Sequence, residues 1–343
     1  MQNEYMEGLL SKSIVHKLEG GTYVPVRETQ YEYMARDELP AESGFRALRV
    51  IDLFNGFGEE YPHERRFYFG TYDLVSSRVL PTRSVTRDFF GNDTITTVSE
   101  MYYSNKAYTR PTKTINYVSK SSDAVVDSFQ YCHDFPQEIY NMMKKRNMIA
   151  PVIRHVRTAK GKTTVRETDY AWFLNGTDTL ILPSASKTIR GNASEYTGFL
   201  QYDRFGNPLH VCLNGVDNRF ILWSYGGRYP VAEIIGDISF DDVCNAVATV
   251  FGKDIHALSE TLIPDPDILA GGLLHSILPL AEVRTFTYDS INGVTTITDS
   301  EGLTTEYRYD DFGRLAEVLI PYLQGGAITP KTTSTYDYQY RIP

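Results

Sequence analysis

The chain has 343 residues, 42% of them hydrophobic and 22% charged, with a formal net charge of −9. That is ample apolar material for one large domain or two ordinary ones, and too much for a disordered chain. The acidic balance argues against nucleic acid, because a phosphate backbone needs a Lys/Arg patch to displace its counterions. No stretch approaches the about 18 apolar residues of a membrane span, so no membrane insertion is expected.

Residues 1–10 lack the basic start and apolar run of a secretory leader. The expectation is a protein that stays inside the cell or, in preference, a segment of a larger secreted parent. Cys132, Cys212 and Cys244 are scattered and form no CxxC pair, so they read as buried free thiols. Tyrosine is abundant, 25 against 2 tryptophans. It favours pleated sheets, where one ring face packs and the hydroxyl reaches a polar partner.

From residue 22 to about 128 apolar and polar residues alternate between turn formers, the pattern of an antiparallel meander. Residues 65–72 and 94–98 read as strands, with residues 88–93 as the turn before the second. Residues 40–44 and 55–62 read as longer loops. A short helix is predicted over 135–147, with Asp134 as its cap, Pro136 in its first turn and Gln137 completing the capping spacing. Lys144, Lys145 and Arg146 then fall in the last turn, where cations suit the helix dipole.

Alternation resumes at Val152. Residues 152–157 and 163–168 form a hairpin around Lys160-Gly161-Lys162, and strands follow at 170–174, 179–182, 197–202, 208–213 and 219–224. Between 238 and 280 the period becomes helical. Ser239 and Asp242 make a capping box, and Val243, Ala246, Val247 and Val250 share a face that Gly252 ends. Residues 257–262 add a turn or two, residues 264–267 break the chain, and Ile268, Leu269, Leu273 and Ile277 mark a last helix ended by Pro279.

Residues 295–318 carry the most information. Tyr307 and Tyr309 share a strand face that leads into Asp310-Asp311-Phe312-Gly313, and Arg314 and Leu315 begin the return strand. Asp310 can bond the turn backbone, and Gly313 takes a positive φ. Tyr288-Asp289 precedes this signature by 21 residues, with Asn292-Gly293 and Glu301-Gly302 as turns between. Tyr202-Asp203-Arg204-Phe205-Gly206 repeats the grammar upstream, and Tyr336-Asp337 begins a further unit. A recurring unit of this length signals stacked hairpins.

Residues 302–315 resemble the unit of the Rhs/YD-repeat family of bacterial proteins, Arg-Tyr-x-Tyr-Asp-x-x-Gly-Arg-Leu after a glycine and several strand residues. Glu306 stands where arginine is common. The segment from Leu222 to Ile234 is similar to a stretch of Rhs-like proteins, and the resemblance covers about 195–340. It implies a long curved β-sheet of the sort that encloses a toxic peptide. The chain has too few units to close such a shell. Asp265-Pro266-Asp267 lacks the Gly-Leu of the family's cleavage core, so self-cleavage is not implied.

His63-Glu64-Arg65-Arg66-Phe67 lacks the second zinc ligand, and Gly56-Phe57-Gly58 lacks a dinucleotide loop's third glycine. Cys132-His133-Asp134 is the one dense polar cluster, and His210 with Cys212 the one strand pair with ligand chemistry. Trp223, Tyr225 and Tyr229 could stack on sugar rings, although aromatic stripes at strand spacing usually pack.

The expected protein is mainly β, a curved antiparallel sheet of meanders and YD-type hairpins with a small helical insert. Its expected divisions are 1–237 (β-rich), 238–280 (helical) and 281–343 (hairpins). It is expected to be a non-catalytic structural or shielding module with no cofactor and no metal. It would sit at the cell surface or outside it, with the rest of a larger parent or a neighbouring protein as partner. A glycan- or protein-binding module is the alternative, and an enzyme the third reading. The structural turn residues are Tyr202, Asp203, Gly206, Tyr288, Asp289, Tyr309, Asp310, Gly313 and Arg314.

Overall fold

The computed structural model describes residues 8–36, 42–50, 66–74, 78–106, 109–119, 123–175, 178–265, 268–269, 272–289, 291–324 and 327–338. Strand dominates, as the alternation and the tyrosine content predict, and eighteen strands belong to one sheet. The chain divides into two compact units. One holds residues 1–130 with 155–163, and the other residues 131–154 with 164–343.

In the first unit β1 (Lys12–Glu19) and β2 (Thr22–Arg36) form a hairpin. β2 then pairs with β5 (Arg78–Phe90). β6 (Asp93–Tyr102), β7 (Lys113–Val118) and β8 (Val125–Tyr131) continue the antiparallel meander. The intervening β3 (Glu42–Val50) and β4 (Arg66–Leu74) make a separate two-stranded ladder. Residues 42–44, expected in a loop, belong to β3, where Glu42, Ser43 and Gly44 face Leu74, Asp73 and Tyr72. Cross-strand pairing overrides the weak β preference of Glu-Ser-Gly. The expected loop at 55–62, the glycines at 56 and 58, and His63 to Arg65 lie outside the described residues.

The predicted hairpin at 152–168 is β9 (Val152–Ala159) and β10 (Lys162–Asn175), turning on Lys160 and Gly161 with φ of 50° and 70°. Two positive φ values in a two-residue loop suit the twist of the strands it joins. In the second unit, antiparallel pairing runs on through β11 (Asp178–Arg190), β12 (Ala193–Tyr202), β13 (Pro208–Leu213), β14 (Asp217–Ser224) and β15 (Tyr229–Ile235). β16 (Glu282–Asp289) pairs with β15 after the helical insert. β17 (Gly293–Thr298), β18 (Thr304–Tyr309), β19 (Leu315–Gln324) and β20 (Ala327–Thr335) complete it.

These ladders are repeatedly bulged. Glu32 faces Arg83 while Tyr33 faces Pro81, so Thr82 is an extra residue. The same one-residue slip places Tyr170 opposite Pro183, Tyr202 opposite Pro208 and Trp223 opposite Pro230. Proline has no N–H for a ladder and is tolerated where a bulge already interrupts pairing. An aromatic residue facing a proline is thus a recurring unit of this sheet.

The predicted helix near 135–147 is shorter than expected. Cys132–Asp134 forms a single 3-10 turn, and α1 spans Glu138–Lys145 with Gln137 as N-cap. Pro136 disfavours helical backbone in its predecessor, and Phe135 is extended at φ −123° and ψ 137°. Asp134 therefore cannot cap α1, and its carboxylate accepts the Tyr131 N–H at 2.8 Å instead. α1 buries Tyr140 and Met143 against Cys132, Ile153 and Ile181. Its basic end places Arg146 5.2 Å from the centre of the Trp172 ring.

The insert holds α2 (Phe240–Phe251), α3 (Ile255–Glu260) and α4 (Leu273–Ile277). Ser239 and Asp242 form the predicted capping box, and Gly252 closes α2 at φ 63°. α3 starts two residues earlier than expected because Asp254 accepts the N–H groups of His256 and Ala257. No continuous helix runs from 268 to 277, since Gly272 is left-handed at φ 66° just before α4. That break rotates the pattern, so Leu269, Leu274 and Leu278 are buried while Leu273 and Ile277 are exposed.

The main core forms here. Phe220, Leu222, Val231 and Ile234 of β14 and β15 pack against Val243 and Val247 of α2, all of them fully buried. Each such aliphatic side chain stabilises the fold by about 1.5–3 kcal/mol relative to exposure. The insert thus covers one face of the sheet. Replacing the Ser239 cap tests that attachment: Ser239→Ala should cost about 1 kcal/mol in equilibrium urea unfolding. Unchanged stability would show that the cap is dispensable.

Candidate functional site

Three turns in the second unit share one hydrogen-bond pattern. In the first, the Asp203 carboxylate accepts the N–H groups of Phe205 at 2.9 Å and Asn207 at 2.8 Å. Its backbone N–H donates to Asn207 O, and Gly206 N donates to Asp203 O. Asp310 repeats this with Phe312 at 2.9 Å and Arg314 at 3.0 Å, closed by the same two backbone bonds. Asp299 repeats it again with Glu301 at 3.0 Å and Leu303 at 2.9 Å. Gly206, Gly302 and Gly313 stand at the same point with φ of 84°, 79° and 73°.

The Asp299 turn was legible only in part. Glu301-Gly302 reads as a turn, but the shared Asp-x-x-Gly spacing goes unnoticed because Thr298, not tyrosine, precedes it. Asp289 was grouped with Asp203 and Asp310, and the structure separates it. Its carboxylate accepts Ile291 and Asn292, two and three residues on, in a tighter turn before Gly293.

The second carboxylate oxygen is also engaged at two turns. Asp203 Oδ2 accepts Asn207 Nδ2 at 3.0 Å, and Asp310 Oδ2 accepts Arg314 Nε at 2.8 Å. Arg314 in turn lies 4.4 Å from the Tyr338 ring centre. The Asp203 turn also docks on the next hairpin, where Asn207 Nδ2 donates to Gly227 O at 2.8 Å. A Cβ at Gly227 would lie 2.3 Å from the Phe205 ring, so only glycine fits there.

Tyr225, Tyr229 and Tyr288 form one aromatic cluster. Tyr229 stacks on Tyr288 at 4.7 Å between ring centres, and Tyr225 stands edge-on to both at 5.7 Å. The Tyr225 hydroxyl accepts the Tyr288 N–H at 3.1 Å and donates to Tyr288 O at 3.2 Å. Burial pushes the Tyr288 phenol up to about 12. Trp223 Nε1 donates to Pro208 O at 2.9 Å. The rings proposed for sugar stacking are half-buried, Tyr225 and Tyr229 packing on each other and Trp223 bonding the neighbouring strand.

The remaining polar groups are structurally committed. Cys132 is fully buried, 3.6 Å from His133 Nδ1, and burial pushes its thiol up, away from the nucleophilic thiolate. His210 packs against the rings of Phe220 and Phe240, which also contact each other, and lies 3.0 Å from Asn218 Oδ1, while Cys212 is half-buried. In the first unit, Asp127 is 7% exposed and bonded to His155 Nε2 at 2.7 Å. A depression of about 460 Å³ there is bordered by Val15, Val26, Phe89 and Phe90, with the Arg27–Asp88 ion pair at its edge. No group of three or more potential metal ligands occurs among the described residues.

Two outcomes follow from the turn geometry. Gly313→Val should destabilise the fold by about 1–3 kcal/mol, because a β-branched residue is forced to φ 73°. Gly302→Ala isolates the backbone cost, since nothing lies within 4 Å of the added Cβ. Equal stability of both variants in urea unfolding would refute the strained-turn account. The side-chain bond from Arg314, then its N–H and that of Phe312, hold the Asp310 carboxyl below the ordinary aspartate value of 3.8. A depressed carboxylate adds stability above its unfolded pKa and loses it as pH falls through the lower folded value. The wild-type advantage over Asp310→Asn should therefore be full at neutral pH, begin to fall near pH 3.8 and vanish only below the lower folded value.

Residues 288–320 match the RHS Repeat family. No curated protein sequence matches the chain. Among solved structures it is similar to TcdB2-TccC3-Cdc42 and TcdB2-TccC3, each at 12% identity over 95% of this chain, with a TM-score of 0.27. It is similar to the same degree to the Photorhabdus luminescens Tc holotoxin pore. The chain spans 17% of the first two and 16% of the third. The matched segment contains both the Asp299 and Asp310 turns, so residues 288–320 of this chain are similar to an RHS repeat.

Proposed function

We propose that this chain is a non-catalytic module that builds and shields: a run of antiparallel hairpins forming part of the wall of a larger Rhs-like parent. The parent would be secreted or displayed at the cell surface. The observation that carries this reading is the commitment of the aspartates. Asp203, Asp299 and Asp310 each spend a carboxylate oxygen on two backbone N–H groups of their own turn. A carboxylate so used rigidifies a hairpin and is poorly placed to move protons for a substrate.

The test uses the parent protein. Asp203→Ala and Asp310→Ala together should expose segments enclosed by the wall, read as new cleavage sites in limited proteolysis of the folded parent. An unchanged cleavage map would contradict a shielding role. A glycan array separates the alternative. The mutual packing of Tyr225, Tyr229 and Tyr288 predicts no retention, and sugar binding abolished by Tyr229→Ala would replace the structural reading with a lectin-like one.

A further inference from the structure

Each bulge in this sheet raises the question of what holds it in place. A bulge leaves one residue unpaired, and a hairpin could place it one position away by slipping its register. At five of the bulges an aromatic hydrogen bond answers it, while among the described residues none of this kind reaches Pro25, Pro230 or Thr332 at three others. The residue that faces the partner strand's side chain just before the extra residue is Pro81, Pro183, Pro208, Val294 or Leu315. In every one of these, the carbonyl accepts an aromatic side-chain donor from the following strand or its end. Tyr103 donates to Pro81 O at 2.8 Å, Tyr202 to Pro183 O at 2.6 Å and Trp223 Nε1 to Pro208 O at 2.9 Å. Tyr309 donates to Val294 O at 2.7 Å and Tyr338 to Leu315 O at 3.1 Å.

The donors also form a relay. Tyr202, which bonds Pro183, itself faces Pro208 across the next bulge, and Trp223, which bonds Pro208, faces Pro230. Tyr309, which bonds Val294, faces Leu315, and Tyr338 bonds Leu315. Where the helical insert separates β15 from β16, a different device stands. There the Tyr225 hydroxyl bonds both backbone groups of Tyr288, the residue facing Val294.

We infer that these aromatic donors are the register locks of the sheet, each fixing the bulge of the strand before it. At Tyr202 and Tyr309 the tyrosine of the YD signature is then a hydrogen-bond donor to the previous hairpin, with a role separate from that of the aspartate, which shapes the turn ahead. Proline suits the locked position because it offers no N–H to the ladder, and its carbonyl still serves the lock. The lock needs a donor of suitable reach, which explains why Trp223 serves where tyrosine serves elsewhere. This assignment goes beyond the proposed shielding role and does not depend on it.

Tyr309→Phe and Tyr202→Phe in the full chain keep the ring and remove only the donor, and Tyr307→Phe removes a hydroxyl that makes none of these bonds. Two readouts are required. The carbonyl carbon resonance of Val294 should move upfield in Tyr309→Phe, and that of Pro183 in Tyr202→Phe. Amides of β17 and β18 in the first variant, and of β11 and β12 in the second, should exchange about tenfold faster than in wild type. Tyr307→Phe should leave both readouts at wild-type values. If the carbonyl shifts but exchange stays at the wild-type rate, the bond exists without locking register and the inference fails. It fails equally if neither readout moves, or if the Tyr307→Phe control matches the other two.

Discussion

The aspartate carboxylate that accepts two backbone N–H groups within its own five-residue turn is the contact on which the repeat geometry rests. A tight reversal turns the N–H groups of its third and fifth residues inward, away from any ladder partner. The carboxylate supplies an acceptor for both, so Phe205 and Asn207, Glu301 and Leu303, and Phe312 and Arg314 all find their bond on one side chain. The glycine at the fourth position supplies the left-handed backbone that aims them there. With the turn fixed, the return strand leaves in a set direction. After the Asp203 and Asp310 turns a bulge then falls at a set distance, and an aromatic of the next strand or its end reaches its carbonyl.

Apolar burial sits on top of this frame instead of defining it. The largest group of fully buried side chains lies where the helical insert covers β14 and β15. Elsewhere many strand residues are only half-buried, and cross-strand contacts take over. The Thr287, Thr295 and Thr296 hydroxyls bond one another, as do those of Thr298 and Thr304. In the first unit Glu28 bridges Lys12 and Arg87, and Arg83 pairs with Glu32. Surface ion pairs of this sort stabilise little individually. They suit a sheet that is polar along much of its length.

Features written in short local patterns were legible in the sequence. Ser239, Asp242 and Gly252 mark both ends of α2 because capping depends on neighbours three or four residues apart. Lys160-Gly161 and the Asp310 turn were legible for the same reason. Features that depend on a distant partner were not. The prolines at 81, 183, 208 and 230 argue against strands when read alone, and only the facing aromatic reveals them as bulge residues. The Asp299 turn is harder to read from sequence because Thr298, not tyrosine, precedes it, although it keeps the Asp-x-x-Gly spacing. Asp134 was misassigned because Pro136 straightens Phe135, and the last helix because Gly272 rotates the apolar face of α4.

At these three turns the aspartate, independent of the residue before it, organises the hairpin. Native-state hydrogen exchange across the three turns tests it most directly. The amide pairs 205 and 207, 301 and 303, and 312 and 314 should be protected together and to a similar degree. That includes the Asp299 turn, which follows a threonine. Protection at the Tyr202 and Tyr309 turns with rapid exchange at 301 and 303 would assign the organising role to the tyrosine and contradict the account.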